Sequence, residues 1–280
     1  KSKIDTIEIT NVDELSNAIV NQKSNQIWKI KNGIYNLTEQ ELNKYKNWKN
    51  PGTSSQGNWY FPIYEDNITL IGEGNVTITS SVETANGTWA TQDFVSIWGD
   101  NITINNINFS SKKSQNKAIE IMGKNFILKN STIKEVIYDN SSNNKVFSGS
   151  IYFNPLNNEK DIGNCLLENV YIFAYISASQ AQKGNLDVLN LTLNFTNNVW
   201  SEWGEGYGPS LIGDVYGKTE NITYIVDNNV IWNELVSLDY IYSQDTKPGT
   251  IIKLSEDIKL DKSLAITRSD ITIDLNSHKI

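Results

Sequence analysis

The stretch Trp200-Ser-Glu-Trp-Gly-Glu-Gly-Tyr-Gly-Pro209 is the densest in groups able to do chemistry. Glu202 and Glu205 lie close together between Trp200, Trp203 and Tyr207, and Asp214 follows at the start of the next strand pattern. Glycoside hydrolysis needs one protonated and one ionised carboxyl group, about 5–5.5 Å apart in a retaining enzyme and about 6.5–9.5 Å apart in an inverting one. An apolar aromatic wall raises the pKa of one acid and so splits such a pair. On this basis Glu205, nearer Tyr207, is the candidate acid and Glu202 the candidate base or nucleophile. Trp200, Trp203, Tyr207 and Asp214 are the candidate sugar contacts. Three glycines let the backbone turn tightly and approach a ligand. The same residues also read as a solvated acidic loop anchored by its tryptophans.

A second cluster is Trp89, Asp93, Trp98 and Asp100. Alternation puts Phe94, Ser96 and Trp98 on one face. Asp100, just before Asn101, reads as a turn residue, and Asp93 beside Trp89 reads as a ligand contact. Asp139, Glu159 and Asp161 form a third acidic set. Calcium, a hard ion that prefers oxygen, would suit it, although no twelve-residue calcium loop is present. No metal or cofactor is assigned.

The scarcities narrow the chemistry. The 280 residues hold one His (His278), one Arg (Arg268) and one Cys (Cys165). A two-histidine zinc site, a cysteine-ligated zinc site and an intrachain disulfide are therefore excluded. Catalysis by residues 1–250 must come from carboxylates, Lys, Tyr, Ser, Asn or a bound ion. The formal net charge of -8 disfavours nucleic acid, anionic membrane and acidic polymers as partners. No apolar run approaches the length that crosses a bilayer.

The positioning elements are short alternating strands, each led by Asn. Asn67-Ile-Thr-Leu-Ile71, Asn101-Ile-Thr-Ile-Asn105, Cys165–Phe173, Leu186–Phe195 and Ile222–Val226 are examples. Such segments predict half-buried β-strands. From Asn101 to Asn125 is 24 residues and from Asn164 to Asn185 is 21, with longer steps of 39 (Asn125 to Asn164) and 36 (Asn185 to Asn221). A period of about 20–25 residues with insertions predicts a solenoid. Asn suits its bends because it tolerates the left-handed region, and stacked Asn side chains can bond to one another along the axis. Eleven Asn-x-Ser/Thr matches read mostly as bend residues followed by strand Thr rather than glycan acceptors.

Asn11 with Glu14 predicts a capping box and a helix over residues 12–20 that covers the first rung. Residues 233–242 read as a further helix, Lys247–Thr250 as a turn, and Thr250–Leu254, Asp257–Leu260 and Ile271–Leu275 as fresh strands. The organisation expected is 1–49 as N-terminal cap and first rungs, 50–232 as the main coil with aromatic and acidic loops, and 233–280 as continuing rungs. Ile271, Ile273 and Leu275 alternate up to Ile280, which leads us to expect further rungs or a partner chain at this edge.

Thr69-Leu-Ile-Gly-Glu-Gly74 and Asp270-Ile-Thr-Ile-Asp-Leu-Asn-Ser-His-Lys279 resemble phrases from right-handed parallel β-helix proteins of the pectate-lyase-like superfamily. Gly57-Asn-Trp59, Gly72-Glu-Gly74 and Gly87-Thr-Trp-Ala-Thr-Gln92 are similar to lacto-N-biosidases of glycoside hydrolase family 136. The resemblance implies an all-β fold, a right-handed parallel β-helix with a short N-terminal capping helix and long loop insertions. It also implies a carbohydrate ligand. That superfamily's Arg base with calcium and its Gly-His-Gly element have no counterpart in the acidic clusters here, which favours a neutral glycan. The expectation is a secreted or cell-surface glycoside hydrolase, or part of one, with a non-catalytic adhesin as the alternative.

Overall fold

A computed structural model describes residues 3–45, 60–82, 93–111, 118–136, 138–140, 145–147, 151–172, 176–194, 196, 211–228, 247, 249–260 and 270–280. Among these the chain is mostly β-strand, and its two large sheets are parallel. The first sheet contains β1 (Asp5–Ile9), β2 (Gln26–Leu37), β4 (Ile68–Ser80), β6 (Thr103–Asn105), β7 (Asn108–Ser111), β9 (Ile127–Val136), β13 (Asp161–Ile172), β15 (Lys183–Asn194), β17 (Tyr216–Val226), β18 (Thr250–Leu254) and β19 (Ile271–Asp274). Its spatial order follows the chain, with β7 pairing β4 and β9. The second sheet contains β3 (Phe61–Ile63), β5 (Val95–Ile97), β8 (Ile119–Ile121), β12 (Ile151–Phe153), β14 (Ile176–Ser177) and β16 (Leu211–Ile212), again side by side in chain order. Between β2 and β17 the chain alternates between the two sheets. A short antiparallel hairpin, β10 (Tyr138–Asn140) with β11 (Lys145–Phe147), interrupts this between β9 and β12.

Asparagine sets the shape of the first sheet. Asn130, Asn169, Asn190 and Asn221 sit mid-strand, and Asn106 sits between β6 and β7, all with φ between 51 and 58°. Across each one the core-facing positions step by three instead of two: Leu128 to Ser131, Leu167 to Val170, Val188 to Leu191. In a straight strand a step of three would send the second arm to the opposite face. The left-handed residue bends the backbone so that both arms keep facing the core. Asn adopts this conformation more readily than other residues with a Cβ. In β4 the bend instead holds left-handed Gly74 (φ 87°) between buried Gly72 and Val76, and Gly72 makes room for a neighbouring strand, since a Cβ there would lie 1.9 Å from the Asn106 carbonyl oxygen. The Gly72-Glu-Gly74 phrase is thus a bend with a close approach.

The bends are tied together by side-chain amides. Asn101 Nδ2 donates to Asn67 Oδ1 at 2.9 Å, Asn125 Nδ2 donates to Asn101 Oδ1 at 2.8 Å, and the Asn164 N–H donates to Asn125 Oδ1 at 2.8 Å. A second column runs from Asn105 through Asn130 and Asn169 to Asn190, each later amide donating to the earlier Oδ1. The expected stacking of Asn is therefore present as two columns. Asn164 lies opposite Asn185, whereas Leu191, the residue after Asn190, lies opposite Ile222, the residue after Asn221. The 36-residue step from Asn185 to Asn221 joins residues of different columns and is not a repeat.

One contiguous buried cluster runs from Ile9 to Ile258 and takes side chains from both sheets. Aromatic rings bridge the sheets: Phe61 to Phe109 at 6.5 Å and Phe126 to Phe153 at 6.5 Å, both edge-on. Helix α1 (Val12–Val20) buries Leu15, Ala18 and Ile19 in the same cluster beside β1 and β2. Its N-cap is Asn11, whose Oδ1 accepts the Glu14 N–H at 2.9 Å. The reciprocal half of the expected capping box is displaced by one residue, because the Glu14 carboxylate accepts from the N–H and hydroxyl of Thr10. A full capping box occurs instead at α2 (Glu39–Leu42), between Thr38 and Glu41.

One further expectation changes. Residues 257–260 form no strand; Ile258 is buried and its N–H donates to the Lys279 carbonyl at 2.8 Å. Residues 233–242 lie outside the described residues. The turn at Lys247–Thr250 is present, with Gly249 at φ 81° and the Thr250 hydroxyl donating to the Lys247 carbonyl at 2.7 Å.

The amide columns make a stability prediction. Asn125→Ala removes two inter-strand hydrogen bonds and places a Cβ without a local polar partner at φ 59°. Urea unfolding should show a loss of about 2 kcal/mol. Asn125→Gly, which relieves the backbone cost alone, should lose about half as much; equal losses would show that backbone strain contributes nothing.

Candidate functional site

The connections between the sheets are asymmetric. Returns from the second sheet to the first are short: 64–67, 98–102, 122–126, 154–160, 178–182 and 213–215. The long ones all lead the other way, into the second sheet: 38–60, 81–94, 137–150 and 195–210. Because the strands are parallel, all of these long segments arrive at the same edge of the second sheet. The aromatic and acidic stretches singled out in the sequence fall largely within them. Glu202, Glu205, Trp200, Trp203, Tyr207 and Trp89 lie outside the described residues. Connectivity nonetheless joins 83–92 to β5 and 197–210 to β16.

The returns are tight for a physical reason. At Gly99 a Cβ would sit 2.1 Å from the Glu65 carbonyl oxygen, and at Gly123 it would sit 2.1 Å from the Gly99 carbonyl oxygen. These glycines allow successive corners to stack backbone on backbone. Beside them Asp66 Oδ1 accepts the Asp100 N–H at 2.8 Å, and Asp100 Oδ1 accepts the Lys124 N–H at 2.7 Å. Asp100 is thus engaged at its corner, as its position before Asn101 implies.

The outward face of the second sheet is the best-defined surface near the long connections. Its central positions are in register: Pro62 opposite Ser96, Ser96 opposite Glu120, Glu120 opposite Tyr152, and Tyr152 opposite Ser177. Their neighbours in each strand, among them Ile63, Ile97, Ile121 and Phe153, are fully buried in the core. Alternation therefore points the central residues outward. Glu120 and Tyr152 are half-buried, while Ser96 and Ser177 are buried. Asn154 Nδ2 donates to Glu120 Oε1 at 2.9 Å, and the Asn154 N–H donates to the Ile121 carbonyl at 2.8 Å, which fixes the amide that holds the carboxylate. Ser177 and Ser179 hydroxyls are 3.2 Å apart.

Asp93 and Asp214 are both described. Asp93 is 7 % exposed and lies two residues before β5; Asp214 is exposed in the return corner after β16. Four strand spacings separate β5 from β16, about 19 Å, so these two acids do not form a pair with each other. Phe94 departs from the expected shared face with Ser96 and Trp98. It is fully buried, with its ring 6.0 Å from Tyr60 and 6.3 Å from Phe109, because the corner before β5 turns it into the aromatic core. Sequence reasoning missed Glu120, Tyr152 and Asn154. The available signal was the run Ala118-Ile-Glu-Ile121, where a carboxylate alternates with core isoleucines.

Other groups are accounted for structurally. Asp161 pairs with Lys124 at 3.0 Å and Glu159 with Lys183 at 3.1 Å. Asp139 lies in β10, in backbone register with Val146. Among the described residues no group of three or more His, Cys, Asp or Glu side chains could hold a metal ion. The Cys165 thiol is buried, and burial pushes its pKa up to about 12, so it is not a ready nucleophile. Among the described residues no helix is long and apolar enough to cross a membrane. Compared with protein-family models, with curated proteins and with solved structures, the chain matches none.

The Asp161–Lys124 pair predicts a pH signature. The Gly163 N–H, and then the Lys124 ammonium, hold the Asp161 carboxyl below its ordinary range, and Asp161 raises the Lys124 pKa in return. A lowered carboxyl pKa stabilises the fold above the unfolded value near 4 and loses that contribution as pH falls through the folded value. A raised Lys pKa contributes below its unfolded value and is lost as pH rises through the folded one. Asp161→Asn should therefore lower the Tm at neutral pH. The gap to wild type should close both below about pH 4 and at strongly alkaline pH. A gap independent of pH would rule out the ion pair as its source.

Proposed function

We propose that this chain is a carbohydrate-active protein built as a right-handed parallel β-helix, and that it handles a neutral glycan on the outer face of its second sheet. The parallel pairing, the alternation between two sheets and the amide columns support the helical architecture. The strong right-handed preference of parallel crossovers supports its hand. The observation that carries the function is the convergence of the long connections on one sheet edge. By connectivity the aromatic and acidic segments 83–92 and 197–210 lead into strands of the sheet whose central row holds Ser96, Glu120, Tyr152 and Ser177. Aromatic rings take the apolar faces of sugars, while carboxylates, amides and hydroxyls bond their hydroxyl groups. The net charge of -8 favours a neutral over an acidic polymer.

The proposed reaction is glycoside hydrolysis by paired carboxylates at the cell surface or outside the cell. Glu205 donates a proton to the leaving oxygen, and Glu202 serves as base or nucleophile. Trp200, Trp203, Tyr207, Trp89, Asp93 and Asp214 contact the glycan. No metal or cofactor is required for this chemistry.

Screening the full chain against a panel of neutral oligosaccharides, with reducing-end release as readout, tests the proposal. On a substrate so identified, Glu202→Gln and Glu205→Gln should each lower kcat by about 100-fold or more while the Tm is unchanged. Near-wild-type turnover in both would remove the pair from the mechanism. Glycan binding without any release would convert the protein from an enzyme to a surface adhesin.

A further inference from the structure

We infer that Tyr60 is a positioning residue for the proposed glycan site: it clasps the connection 81–94 at both of its ends and joins it to the connection 38–60, so that the two segments hold a neutral glycan as one unit. The role in binding rests on the carbohydrate reading above; the clasp itself does not.

The four stems come first. The two connections leave the first sheet side by side, because Leu37 ends β2 and Ser80 ends β4, opposite each other in parallel register. The Ser80 hydroxyl donates to the Leu37 carbonyl at 2.7 Å, and the Ser81 N–H donates to Asn36 Oδ1 at 3.1 Å. The Val82 N–H in turn donates to the Ser80 hydroxyl at 3.2 Å. The same connections enter the second sheet side by side, where Phe61 opens β3 and Val95 opens β5, again opposite each other. The outgoing stems are thus tied to each other, and so are the incoming ones.

Tyr60 links the two pairs. It is the last residue before β3 and is 1 % exposed. Its hydroxyl donates to the Val82 carbonyl at 3.0 Å, at the start of the next connection. Its ring lies 6.0 Å from that of Phe94, at the end of that same connection. One buried side chain therefore touches both ends of 81–94, although it belongs to the stem of the segment before. Its own backbone is held as well: the Tyr45 hydroxyl, in the turn after α2, donates to the Tyr60 carbonyl. Tyr45 and Tyr60 bracket residues 46–59, so this bond fastens the earlier connection across its neck.

Burial makes these links costly to lose. A buried carbonyl deprived of its donor is not resolvated, so each hydroxyl counts for more than it would at the surface. Burial also raises the Tyr45 pKa, which keeps its hydroxyl protonated as a donor. The rings seat the clasp on the core, since Phe94 meets Phe109 at 6.3 Å and Phe109 meets Phe61 at 6.5 Å. Fixing both ends of a segment in advance reduces the ordering cost that ligand binding must meet. The carbohydrate reading makes Trp89 the aromatic contact that 81–94 carries, so Tyr60 acts on the glycan through this segment without touching it.

Hydrogen exchange of the intact, ligand-free chain tests the clasp. Tyr60→Phe, which keeps the ring, should speed exchange at the Ser81 and Val82 amides about fivefold, with β9 and β13 unchanged. Tyr45→Phe should speed the same two amides, because it frees the Tyr60 backbone. Unchanged exchange at both amides in both variants overturns the inference whatever the ligand. Calorimetric titration tests the role in binding, with the tightest neutral oligosaccharide from a printed array as probe. Tyr60→Phe should raise Kd about fivefold in the otherwise unaltered chain, and less than about twofold in the Trp89→Ala background. A general loss of stability would shift both alike. Equal shifts in the two backgrounds, or no shift in either, overturn the positioning role and leave the carbohydrate reading standing. Binding of no glycan by wild type overturns that reading and the positioning role together, while exchange still decides the clasp. Thermal melts confirm folding, and Tyr45→Phe carries both measurements should Tyr60→Phe fail to fold.

Discussion

The structure depends on one backbone constraint: a strand that bends must not change faces. Two-residue alternation gives each strand one core side, and a bend displaces that alternation by one residue. A left-handed Asn or Gly absorbs the displacement, as Leu167, Asn169 and Val170 illustrate, with the inward positions three apart and the left-handed residue between them. Asn then adds what Gly lacks, a side-chain amide with a donor and an acceptor that can pass a hydrogen bond from one strand to the next. The same residue type thus sets the conformation of each bend and joins successive bends into a column.

This division of labour extends to the connections. The returns from the second sheet stack so closely that Gly99 and Gly123 have no room for a Cβ. Length variation is therefore confined to the opposite corner, where the chain leaves the first sheet. Confinement has a chemical result: segments far apart in sequence reach one edge of one short-stranded sheet. Meanwhile the inner faces of both sheets are held by a shared apolar core with edge-on aromatic contacts between Phe61 and Phe109 and between Phe126 and Phe153.

Much of this was legible in the sequence. The alternating strands, the Asn-led spacing, the helix at 12–20 and the bonding of stacked Asn all follow from local rules, because each depends on residues close in the chain or repeated along it. What the sequence obscured was which Asn residues share a column, since Asn185 and Asn190 lie near each other yet belong to different bends. It also obscured Phe94, which strand alternation places on one face with Ser96 and Trp98 but which the corner turns into the aromatic core. Glu120 was hidden for a different reason. It stands opposite Ser96 and Tyr152, a relation between strands that no single segment displays. The acidic and aromatic loops drew notice by composition, whereas the sheet row is made of ordinary residues aligned between strands.

The amide columns have a consequence for how such a molecule diversifies. Asn67 and Asn101 are 34 residues apart, Asn101 and Asn125 are 24, Asn130 and Asn169 are 39, and Asn169 and Asn190 are 21, yet each pair makes the same contact. The column registers only that a bend has returned to its place and is indifferent to the length of chain spent in between. Outgoing segments can then be lengthened, shortened or exchanged between lineages with little effect on the framework. The scaffold thereby behaves as a rack of interchangeable fittings, in which the framework is set at the corners while the spans between them are free to differ in length.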